Sequence, residues 1–147
     1  MAHRVLLCDD EIHICRAAEF KISRAGYDVR CACDGEDAWQ QILDWQPEML
    51  ITDCQMPRLD GFGLCERIRN HEATRHLPIL MLTAKGLELS RVDTSARWGV
   101  IAVLAKPFSP RELLRHVERV LPPTSATIPA AATESMMPIP NTPTRLV

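Results

Sequence analysis

The stretch MLITDCQMPRLDGFGLCERIR, residues 49–69, changes its pattern twice within one turn of chain. Met49 to Thr52 is a short apolar run of the length of a strand buried on both faces, and it ends on Asp53. Pro57 interrupts the polar residues that follow, and Asp60-Gly61 then opens a stretch in which Leu64, Cys65 and Ile68 return at helical spacing. Strand, loop and helix follow one another, with a carboxylate on the last strand position.

The same unit recurs outward in both directions. Apolar runs stand at Val5 to Cys8, Ile79 to Leu82 and Val100 to Ala105, with a weaker one at Tyr27 to Ala32. Between them lie helical stretches. Cys15, Ala18, Ile22 and Ala25 step by 3, 4 and 3 before Gly26, and Ala38, Ile42 and Trp45 follow Asp34-Gly35-Glu36 and stop ahead of Pro47. Leu89, Val92 and Ala96 form a thin stripe between Gly86 and Gly99. Ser109-Pro110 starts a last helix with Leu113, Leu114, Val117, Val120 and Leu121 on its inner face. Five strands alternating with five helices predict an α/β fold, a doubly wound parallel sheet covered on both sides. Right-handed crossovers bring the carboxyl ends of all strands to one edge, where open sheets of this kind bind ligands.

Composition narrows the class. The chain has 147 residues, 46% apolar, and its 17 Lys+Arg against 19 Asp+Glu leave a net charge of −2 with no basic block. Nucleic-acid binding by phosphate neutralisation has no footprint there. No apolar run approaches the roughly 20 residues needed to cross a bilayer, and the N-terminus meets acid too early for a signal peptide. A soluble cytoplasmic protein without membrane insertion is expected. The six cysteines show no CxxC spacing, so they read as small core residues rather than a zinc or redox site. Six of the eleven prolines fall in the last 26 residues, so residues 1–121 are expected to fold and 122–147 to form a disordered Pro/Ala/Thr-rich tail. A tail of that length has no room for an output domain, and Met136, Met137 and Ile139 are its one apolar cluster.

The strand ends carry the chemistry. Asp9, Asp10 and Glu11 follow the first strand, Asp53 the third, Thr83 the fourth and Lys106 the fifth. Crowded carboxylates raise one another's pKa unless a cation intervenes, and Mg2+, a hard ion that takes oxygen ligands, suits such a group. A carboxylate can also attack a phosphoryl group to give an aspartyl phosphate, with a metal, an ammonium and a hydroxyl available to neutralise the transferred oxygens.

VLLCDDE, ITDCQMPRLDGFGLCERIR, PILMLTAK and VLAKPFSPREL together resemble the receiver domain of two-component response regulators over about residues 4–121. The resemblance implies the flavodoxin-like strand order 2-1-3-4-5, and Asp53 as acceptor of a phosphoryl group from a histidine kinase or a histidine phosphotransfer protein. It implies Asp10, Asp53 and the backbone carbonyl of Gln55 as Mg2+ ligands, with Asp9 acting mainly through water. Thr83 and Lys106 would engage the phosphoryl group, and Lys106-Pro107 is a candidate cis bond. The chain is then a single-domain, phosphorylation-controlled signalling protein that catalyses only its own phosphorylation and dephosphorylation. Its output would run through an unknown protein partner or a phosphorelay. Departures from the family pattern are Val103, where an aromatic switch residue is common, and Ile101-Ala102, where acids are common. Gln55 and Lys85 stand at the mouth of the site. The rival reading, a magnesium-dependent aspartyl-phosphate phosphatase acting on small substrates, lacks the expected D-x-D spacing and a substrate-covering cap.

Overall fold

The computed structural model describes residues 2–84 and 97–123. The stripe between Gly86 and Gly99, Lys85 and the tail from residue 124 onward lie outside the described residues. Within them the order is β1 (Arg4–Cys8), α1 (Ile12–Arg24), β2 (Asp28–Ala32), α2 (Gly35–Trp45), β3 (Met49–Asp53), α3 (Gly61–Arg69), β4 (Ile79–Thr83), β5 (Ala102–Ala105) and α4 (Pro110–Val120). All strand pairs are parallel, and the sheet order is β2-β1-β3-β4-β5. The predicted α/β architecture and strand order are those observed.

Alternation along the strands divides the core into two layers. Val5, Leu7, Met49, Ile51, Leu80, Leu82 and Leu104 face α1 and α4, where they meet Cys15, Ala18, Ile22, Leu113 and Val117. Leu6, Cys8, Leu50, Ile79 and Met81 face α2 and α3, where they meet Ala38, Ile42, Leu64, Cys65 and Ile68. Strands β3 and β4 are buried at every position, as covering on both faces requires. Burying one such Leu or Ile side chain contributes about 1.5–3 kcal/mol, so the apolar runs are the main source of stability.

Local signals set the helix boundaries. Asp34, Asp60 and Ser109 are N-caps whose side chains accept from the N–H groups of Asp37, Gly63 and Glu112, which removes one unpaired donor from each helix start. Gln46 ends α2 in the left-handed region at φ 57°, immediately before Pro47. The last strand begins at Ala102, two residues later than its apolar run. Gly99 turns the chain at φ 63°, Val100 enters the α2/α3 layer, and the Ile101 N–H donates to the Ile79 carbonyl before the ladder starts. On α4 only Leu113 and Val117 of the expected inner face are buried within the helix, while Leu114 and Val120 pack at its margins. Beyond the helix, the Leu121 carbonyl accepts a hydrogen bond of 2.6 Å from the Tyr27 hydroxyl, which ties the end of α4 to the start of β2.

Gly35 sits at the first position of α2 under the β3–α3 loop. A Cβ there would lie 1.9 Å from the Leu59 carbonyl oxygen, a backbone atom that cannot rotate away. Helix propensity alone would favour Ala by about 1 kcal/mol. The clash reverses that sign, and Gly35→Ala is expected to lower stability by about 1–3 kcal/mol in urea unfolding; an unchanged or raised midpoint would show that the loop gives way freely.

Candidate functional site

Four loops following strands meet at the carboxyl edge of the sheet. Asp9 follows β1, Asp53 is the last residue of β3, Thr83 the last of β4, and Lys106 follows β5. Parallel register accounts for the meeting: Asp53 lies beside Leu82, and Thr83 lies beside Ala105, one residue before Lys106. A cleft of about 650 Å³ opens here, lined by Asp10, Glu11, Asp53, Gln55, Met56, Ala84 and Lys106. The Lys106-Pro107 bond is cis.

The Lys106 ammonium is the electrostatic centre. Its Nζ lies 2.7 Å from Glu11 Oε1, 3.0 Å from Asp9 Oδ2 and 3.2 Å from Asp53 Oδ2. It donates hydrogen bonds to Glu11 and Asp53. Toward Asp9 it is close enough for an ion pair but not aligned for a hydrogen bond, and the buried Oδ2 has no hydrogen-bond partner among the described residues. The other Asp9 oxygen accepts from the Glu11 N–H at 2.9 Å, so Asp9 also shapes the entry to α1. The Cys15 thiol donates to the Asp9 carbonyl at 3.4 Å from one turn along that helix.

These contacts act differently on each group. Burial pushes the Asp53 carboxyl above the usual range, the Asp9 charge adds to this, and Lys106 offsets it only in part. Burial alone would weaken the Lys106 ammonium, but Glu11, Asp9 and Asp53 outweigh it and raise its pKa. The hydrogen bond and charge of Lys106 hold Glu11 below the usual range. Lys106 therefore stays charged across the neutral range, while burial and the Asp9 charge make Asp53 harder to ionise than a free carboxyl.

Ligand oxygens of Asp9, Asp10 and Asp53 lie within 4.8 Å of one another. An all-oxygen donor set, one buried oxygen without a hydrogen-bond partner among the described residues and a carboxyl raised by burial and by the Asp9 charge fit a hard divalent cation. Gln55 lines the same cleft. Thr83 is buried, does not line the cleft, and its hydroxyl donates to the Ala84 carbonyl at 3.2 Å. Two cysteines near the site are inert: burial pushes the Cys54 thiol up to about 11 and the Cys65 thiol up to about 12, so both stay protonated and poorly nucleophilic at neutral pH. Val103 is half-buried and, like Trp98 and Phe62, packs against the α2/α3 layer, while Ile101, two residues earlier, is exposed.

Two parts of the site escape sequence reading. Glu11 stands in the acidic run after β1, but its pairing with Lys106 spans 95 positions. The ion pair of Arg58 with the buried Asp34 joins the β3–α3 loop to the β2–α2 loop, and only the cap residue Asp34 signals it in advance.

Comparison with known proteins identifies the family. Residues 5–118 match the response regulator receiver domain family, and the chain belongs to that family. The alkaline phosphatase synthesis transcriptional regulatory protein PhoP of Bacillus subtilis is 34% identical over 131 residues, which cover 89% of this chain and 53% of that relative. The chain thus spans about half the length of that relative. Among solved structures, a response regulator from Chloroflexus aurantiacus superposes with a TM-score of 0.76 at 41% identity, over 82% of this chain and 98% of that one. The chemotaxis response regulator CheY4 of Vibrio cholerae superposes with the same TM-score of 0.76 at 32% identity, over 82% of this chain and 100% of its own.

A carboxyl whose pKa is raised by folding binds its proton more tightly in the native state, so stability falls as pH rises through the ordinary carboxylate range and the folded pKa. Above both values the penalty is constant. Asp53→Asn is therefore expected to raise the urea midpoint at pH 7, with the advantage shrinking as pH falls through the folded pKa and gone below about 4. Added Mg2+ should narrow the gap by stabilising the wild type more than the variant. A variant less stable than wild type at pH 7 in metal-free buffer would contradict this charge balance.

Proposed function

We propose that the chain is a phosphoryl-accepting signalling module in which Asp53 takes a phosphoryl group from a histidine kinase or a histidine phosphotransfer protein. The observation that supports this most is the convergence of Lys106 on Asp53 and Asp9 beside a third carboxylate, in a chain that belongs to the receiver family. The receiver unit is taken to extend over about residues 1–121, with the signal leaving through phosphorylation-dependent binding of another protein or through onward phosphoryl transfer in the cytoplasm. The exposed Ile101 beside Val103 offers part of an apolar partner surface.

The chemistry follows from the charges. An Asp53 oxygen attacks the phosphorus of a phosphohistidine in line, the new O–P bond forms as the P–N bond breaks, and the departing imidazole takes up a proton. Asp9, Asp10, Asp53 and the carbonyl of Gln55 would hold Mg2+, which supplies positive charge against the phosphoryl oxygens. Lys106 remains charged and already contacts Asp53, so a modest movement of its ammonium places it on an equatorial oxygen. Thr83, next to that end of the sheet, would exchange its bond to the Ala84 carbonyl for one to the phosphoryl group. No second acid stands two residues beyond Asp53 to activate water, so the group is expected to be held rather than turned over rapidly on small esters.

Incubation with acetyl phosphate and Mg2+ should add one base-labile phosphoryl group, read by intact mass. Removal of divalent cations should suppress the labelling, and Asp53→Asn should abolish it. Undiminished labelling of that variant would place the acceptor elsewhere.

A further inference from the structure

The loop between β3 and α3, residues 54–60, is held at two levels. At its foot the Gly61 N–H donates to the Cys54 carbonyl at 2.8 Å, and the approach is so close that a Cβ on Gly61 would meet the Asp53 carbonyl oxygen at 2.3 Å. At its crown three contacts reach the β2–α2 connection and the end of β1. The Arg58 guanidinium pairs with Asp34, the Leu59 carbonyl rests against Gly35, and the Met56 thioether accepts from the Cys8 thiol at 3.1 Å.

The pair between Arg58 and Asp34 is the unusual member. Asp34 is 3% exposed and already accepts from the Asp37 N–H at 2.9 Å as the cap of α2. The hydrogen bond from Asp37, joined by Arg58, holds its carboxyl below the usual range, so it presents a fixed negative charge at neutral pH. Arg58 meets that charge from a backbone at φ 68°, a region that suits glycine and strains a residue with a side chain. The strained residue is therefore also the one whose side chain reaches a buried acid. Gln55 lies between the foot and the crown and lines the cleft.

We infer that the Arg58–Asp34 ion pair positions the divalent-cation site, holding the β3–α3 loop against the β2–α2 loop so that Gln55 stays in place to complete the ligands offered by Asp9, Asp10 and Asp53. This rests on the metal reading above. Arg58 touches neither the cation nor the phosphoryl group; it acts through the loop. Groups that orient ligands from one bond further out commonly set metal affinity by an order of magnitude or more.

Binding of Mn2+ alone to the full chain, followed by the paramagnetic resonance of the free ion, tests this without any phosphoryl transfer. Arg58→Gln leaves the backbone demand in place but removes both the charge and the reach to Asp34, and is expected to weaken Mn2+ binding about tenfold. Arg58→Lys retains the charge, and because a single guanidinium nitrogen makes the contact it should stay within about threefold of wild type. Asp34 keeps its hydrogen bond from the Asp37 N–H, so both variants are expected to stay folded, and metal-free melting temperatures measured alongside separate a weakened site from a loosened fold. Wild-type affinity in Arg58→Gln would overturn the positioning role alone, as would equal weakening in Arg58→Lys. Failure of the wild type itself to bind Mn2+ would remove the metal reading and this inference with it.

Discussion

Everything at the carboxyl edge of the sheet is arranged around one ammonium. Asp9, Asp10, Glu11 and Asp53 against Lys106 leave three net negative charges within one cleft. Two like charges about 4 Å apart repel by about 4 kcal/mol at the effective dielectric of a protein surface, so such a cluster cannot sit at the end of a close-packed sheet without compensation. Lys106 supplies part of it and leaves the rest outstanding. Burial and the Asp9 charge together hold the Asp53 carboxyl above the usual range, and a divalent cation in the cleft would offset both.

The fold makes that concentration of charge possible because the layers beneath it carry none. Strands β3 and β4 are buried along their whole length, and the sites begin where the apolar runs stop. A parallel sheet has all its strand ends on one side, so one register error in β3 or β5 would exchange Asp53 or Lys106 for a neighbour that points to the opposite layer. The apolar alternation that fills the two layers is thus also what aligns the charged groups at the carboxyl edge.

Strands, helices and most of the site were legible in the sequence because both depend on short-range pattern. The runs ending in Asp53, Thr83 and Lys106 are strands for the same reason that these residues stand at the edge, and Asp34, Asp60 and Ser109 declare their helices by their own cap chemistry. What escaped depends on loop conformation and side-chain reach. Nothing in residue spacing says that Arg58 turns back to Asp34 across 24 positions, or that Cys15 donates to the Asp9 carbonyl. The hydroxyl of Thr83 is a third case: its position along β4 was evident, but its bond to the Ala84 carbonyl rather than to the cleft is a rotamer choice. The start of β5 was displaced because Gly99 and Val100 serve the turn and the core before the ladder begins.

The bond from the Tyr27 hydroxyl to the Leu121 carbonyl fixes where the backbone leaves the last helix. Tyr27 precedes the first residue of β2, so this anchor lies at the amino edge of the sheet, a strand length of about 17–20 Å from the cleft. The exit is thereby turned away from the entrance. The cleft and the point at which the backbone leaves the last helix therefore lie at opposite ends of the strands, so the Leu121 anchor and whatever enters the cleft do not compete for the same space.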